Sequence, residues 1–160
     1  MELSSAITGL VCVALFVVPI ILLNRSGSGK RKKRLSNLLA FGQQHGLKFT
    51  KTELWNDSVI GLDEDSKKLV FIKNNETDQA PVLIDLQQVT NCEIVNTPRE
   101  VKSGGKTQRM VDRLELRLTQ KGQSQPAVLL EFYDASKSFQ LTGELQLIEK
   151  WKRLIKENLA

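Results

Sequence analysis

The hydrophobic pattern along the chain changes period three times. From Ser5 to Leu23 ("SAITGLVCVALFVVPIILL") nineteen residues run without a charge. At about 1.5 Å per residue a helix over this run would measure about 28 Å, the thickness of a bilayer's hydrocarbon core, so residues 1–24 are expected to form an N-terminal transmembrane anchor. Pro19 is tolerated inside such a span. A short helix is predicted over 35–47, with Leu35, Leu38 and Leu39 on one face and Gly46 as its stop.

Beyond it the period falls to two. Strands are expected over 48–54, 58–64, 68–74, 81–86, 90–96, 109–120 and 127–134, seven in all. The second and third flank the acidic turn "DEDS" and read as a hairpin, and 109–120, the clearest strand, sets Leu114, Leu116 and Leu118 opposite Arg113, Glu115 and Arg117. The period then returns to helical in "TGELQLIEKWKRLIKENLA", where Leu141, Leu145, Ile148, Trp151 and Ile155 form one apolar stripe and Trp151 is the expected structural core plug.

Charge sharpens the reading of the N-terminus. The chain carries 23 Lys and Arg against 18 Asp and Glu. Six of the basic residues (Arg25, Lys30, Arg31, Lys32, Lys33 and Arg34) fall in 25–34 with no acid, and with Glu2 set aside 35–160 holds 17 of each sign. The basic pI thus describes a juxtamembrane linker, and the folded part is neutral. Positive charge directly after an apolar span predicts a single-pass protein in the cell membrane with its C-terminal domain in the cytoplasm. A nucleic-acid partner is not expected, because the basic residues are not spread over a folded face. The start "MELSS" lacks the basic n-region of a cleaved signal peptide.

No constellation for catalysis stands out, and no enzyme activity, cofactor or metal is expected. His45 has no second ligand at metal-binding spacing. "SGSGK" ends like a phosphate loop but follows no strand. "DEDSKK" has Lys68 where a calcium loop needs glycine. Cys92 lies in a predicted strand without a nearby base. The sequons at Asn56 and Asn75 matter only for a domain facing a lumen. Ser5 and Gly9 form a small-xxx-small pair, which does not fix an oligomeric state. One segment, "PREVKSGGKTQR" (98–109), reads as a basic loop, in which Arg99, Lys102, Lys106 and Arg109 face only Glu100 and are candidates for contact with a protein partner or anionic lipid.

The order of seven strands before one amphipathic helix, with "VIGLDEDSKKLVFIK", "VLIDLQQVTNCEIV" and "LIEKWKRLIKENL", resembles bacterial membrane-anchored proteins with a pleckstrin-homology-like (PH-like) domain. The resemblance covers 48–160. It implies an α+β fold, a bent antiparallel sheet or partly open barrel closed by the C-terminal helix, whose inward tryptophan plugs it. It also implies a binding module, here a docking or scaffolding module for a protein partner at the cytoplasmic face. The alternative is lipid sensing through the basic run and the 98–109 loop. Phosphoinositide-binding members resemble one another in a basic cluster across the first two strands; here Lys48 and Lys51 are followed by Glu53, Asp57, Asp63, Glu64 and Asp65, which argues against that ligand.

Overall fold

The computed structural model describes residues 29–73, 80–122, 126–138 and 140–159. Helix α1 occupies 29–44. Seven strands follow: β1 (Lys51–Trp55), β2 (Ser58–Asp63), β3 (Lys68–Lys73), β4 (Val82–Asp85), β5 (Val89–Ser103), β6 (Lys106–Gln120) and β7 (Val128–Asp134), and the C-terminal helix α2 spans Glu144–Asn158.

Three expectations are corrected. Among the described residues no helix is long and apolar enough to cross a membrane. The expected span lies outside the described residues, and nothing described supports a single-pass placement, a membrane location or a cytoplasm-facing domain. The single bent sheet is also corrected: the strands form two antiparallel sheets, ordered β1-β2-β3-β4 and β5-β6-β7. Finally, residues 30–34, expected in a linker, are the first turns of α1.

The division into two sheets has a local cause. After β4 the chain enters a 3-10 turn, Leu86–Gln88, whose start is fixed by the Asp85 carboxylate accepting from the Gln87 N–H at 3.0 Å. This swings β5 out of the first sheet. Side chains bridge the seam that a barrel would close with a backbone ladder. The Trp55 indole donates to the Phe132 carbonyl at 3.0 Å and stacks on the Phe132 ring at 4.5 Å, and Lys73 pairs with Glu131.

The two central strands of the first sheet, β2 and β3, are apolar on both faces because both are covered. Ile60, Leu62, Leu69 and Phe71 point into the main core, which they share with Leu114, Leu116 and Leu118 of β6, Leu130 and Phe132 of β7, and Ile148, Trp151 and Ile155 of α2. Val59, Val70 and Ile72 point the other way, onto Leu38 of α1 and Leu47. Leu38 carries the helix contact, whereas Leu39, expected on the same face, is 46% exposed. Helix and sheet approach closely because two positions lack side chains. The Phe49 ring lies in a slot between Gly42 of α1 and Gly61 of β2, and a Cβ on either would come within 2.6 or 2.8 Å of it. Gly61→Ala is therefore expected to destabilise by about 1 kcal/mol, against the usual preference for Ala in a strand; a stabilised variant in urea titration would show that the slot relaxes freely.

In α2 the buried line runs Glu144, Ile148, Trp151, Ile155 and Asn158. Leu145, expected in the stripe, faces outward, and Leu141 precedes the helix.

Candidate docking site

The basic run does not act as one group. Arg25 lies outside the described residues, and Lys30, Arg31, Lys32 and Lys33 are exposed on the first turns of α1. Arg34 turns inward, with its side chain 14% exposed. It donates to the Asn56 carbonyl and, at 2.6 Å, to the Asp57 carboxylate. Asn56 holds the β1–β2 turn at a φ of 43°, and its side-chain amide donates to Glu144 Oε1 at 2.9 Å. The other Glu144 oxygen accepts from the Thr142 N–H at 2.6 Å. Burial alone would raise the Glu144 pKa, but the bonds from Asn56 and Thr142 outweigh it and hold the carboxyl below its usual range. The cleft here, about 400 Å³ between Arg31, Arg34, Trp55 and Glu144, is therefore a clasp joining α1, the first turn and α2. Its polar groups are largely spent on one another.

Other candidate chemistry is likewise absorbed by structure. The Asp63 carboxylate of "DEDS" accepts from the N–H groups of Lys48, Asp65 and Ser66, which fixes the hairpin tip. Burial pushes the Cys92 thiol up to about 11, far from thiolate chemistry. His45 stacks on Phe41 at the end of α1. Among the described residues no group of three or more His, Cys, Asp or Glu could hold a metal ion.

The 98–109 segment is not a loop. It is the outer half of a β5–β6 hairpin whose two strands are each fifteen residues long. The turn is Gly104–Gly105, with φ of 57° and 79°, two successive left-handed residues that only glycine adopts at no cost. Pairing runs without interruption from Ser103↔Lys106 to Pro98↔Val111, then shifts register between Thr97 and Pro98. Beyond the shift the hairpin leaves the core: residues 98–100 and 104–110 are all exposed, Met110 at 48%.

Strand alternation divides the four basic residues. Directly paired residues share a face. Arg99 and Lys106 therefore lie on one side of the ribbon, with Met110, Val101 and Gln108; Lys102 and Arg109 lie on the other, with Glu100. Arg109 is 3.7 Å from Glu100, and Arg99 is 3.7 Å from Asp112. A flat anionic surface would meet two basic residues at a time, each worth about 1 kcal/mol and partly neutralised. The geometry thus disfavours lipid sensing through this segment.

No family model, curated protein or solved structure matches the chain, so the PH-like resemblance of its sequence is not confirmed.

Proposed function

We propose that the chain is a non-enzymatic docking module that binds a protein partner through the β5–β6 ribbon. The observation that carries this reading is the ribbon itself. Residues 99–110 belong to neither apolar cluster and yet are held in register by a continuous ladder. Exposed two-stranded structure of this kind is marginal by itself, and the body's β5–β6 pairing anchors it. Its basic side chains and exposed Met110 offer contacts that the fold does not use.

A shortened chain tests this. Joining Arg99 to Met110 by Asn-Gly removes 100–109 and closes the new turn on a hydrogen-bonded pair, so cooperative unfolding should persist with little change in midpoint. A photo-reactive residue at Gln108 in the full chain should crosslink to a protein, whereas one at the equally exposed Gln43 should not. Excess full chain should suppress the crosslink and excess shortened chain should not. Equal suppression by both would overturn the docking reading.

A further inference from the structure

The register of the hairpin fixes which backbone groups of the ribbon point outward. In a hairpin with a two-residue turn the closing pair, Ser103↔Lys106, is hydrogen-bonded, and bonded and non-bonded pairs then alternate. Lys102↔Thr107, Glu100↔Arg109 and Pro98↔Val111 are thus the non-bonded pairs. Their N–H and C=O groups face away from the partner strand. On the β5 side this edge is blunted, because Pro98 has no N–H to offer. On the β6 side Thr107, Arg109 and Val111 each present both groups.

The β6 edge is closed elsewhere. β7 pairs with it from Leu118 to Arg113, and the next carbonyl, that of Asp112, accepts from the Ala135 N–H at 2.8 Å. Pairing then stops. Among the described residues nothing occupies the edge from Lys106 to Val111, so it continues the line of β7 as an open strand position. Native sheets normally protect such an edge with a bulge, a proline or an inward charge. Here the proline sits on β5 and the irregularity at Asp112, and the stretch itself carries only the charges of Lys106 and Arg109, which repel a basic strand and not an acidic one.

From this we infer that the partner docks by strand addition: an extended acidic segment pairs along the free edge of β6 between Lys106 and Val111. The inference rests on the docking reading above and names its mode and its partner's chemistry. Charge selects the segment. The ribbon from Pro98 to Val111 carries four basic residues and one acid. Alternating side chains of an added strand would meet Arg109 on one face and Lys106 on the other, so a strand uses both faces where a flat surface uses one. The backbone bonds would supply affinity and the two basic side chains the preference for acid.

The test uses the full chain and defined fluorescent peptides in an anisotropy titration. The probes repeat Glu-Glu-Val-Val, which puts Glu on both faces of the strand, and are about eight residues long, enough to cover the open edge at about 3.4 Å per residue. A second probe has the same sequence with alternate amides N-methylated, and a third carries Lys in place of Glu. The Glu probe should bind, and the Lys probe should not. N-methylation, or Thr107→Pro, which removes an outward N–H and no ladder bond, should each weaken binding about tenfold, the loss of one or two net hydrogen bonds. Arg109→Glu should weaken the Glu probe. Unchanged binding of both the N-methylated probe and the Thr107→Pro chain, with binding lost on the shortened chain, would overturn strand addition and leave ribbon docking intact. Undiminished binding to the shortened chain would overturn both. Failure of the Glu probe to bind at millimolar concentration, or ribbon-dependent binding to anionic vesicles in its place, would overturn strand addition.

Discussion

Trp151→Ala is expected to destabilise the chain by about 3–5 kcal/mol, the cost of a large aromatic deletion in a core that cannot fully collapse. Trp151 is 1% exposed, sits midway along the buried line of α2, and joins residues of both sheets in one cluster. The indole Nε1 is buried and has no acceptor among the described residues. That group carries a desolvation cost which Phe would not incur. Trp151→Phe should therefore cost far less than Trp151→Ala, about 1 kcal/mol. Denaturant titration of both variants measures the difference. A loss from Trp151→Ala below about 0.5 kcal/mol would mean that the ring is not a core element.

The second large effect is acid destabilisation centred on Asp134. Its carboxylate accepts from the Ser136 hydroxyl at 2.6 Å and the Ser136 N–H at 2.9 Å, bonds that with nearby Lys137 hold it at about 2 against an ordinary 3.8. Because the folded value lies below the unfolded one, the stabilisation is complete above about pH 5 and is lost as pH falls through the unfolded value toward the folded one. The shift corresponds to about 2 kcal/mol. Asp63 and Glu144, also held low by hydrogen bonds that outweigh their burial, add losses of the same sign. Asp134→Asn should lower stability at neutral pH and flatten the profile between about pH 4 and 2. Parallel profiles for wild type and variant would rule out Asp134 as the group responsible.

The elements that were legible in the sequence are those with one face in the core. Leu114, Leu116 and Leu118 alternate because the opposite side of β6 is polar, and the spacing of Ile148, Trp151 and Ile155 reports a single buried line on α2. The ribbon was illegible for the converse reason. With both faces in solvent, no hydrophobic period marks 98–109, and Pro98 with Gly104–Gly105 reads as loop. The Gly-Gly pair was the available signal, since two glycines between equal polar runs suit a two-residue hairpin. The start of α1 was hidden because its first turns are exposed and basic. The burial of Glu144 on α2 is not legible in the sequence, which does not show the Asn56 amide that receives it. The division into two sheets follows from the 3-10 turn at Leu86–Gln88, which is too short to leave a hydrophobic period.

The slot around Phe49 bears on how this chain can be cut. A fragment beginning at β1 would keep every strand and the whole main core, to which α1 contributes no residue, and would look complete by strand count. It would also bare Val59, Val70 and Ile72 as a contiguous oily face on an intact sheet. Such a face invites clumping between copies. The smallest well-behaved piece must therefore not begin at the first strand and must retain α1 from Arg34 onward, where its inward contacts start.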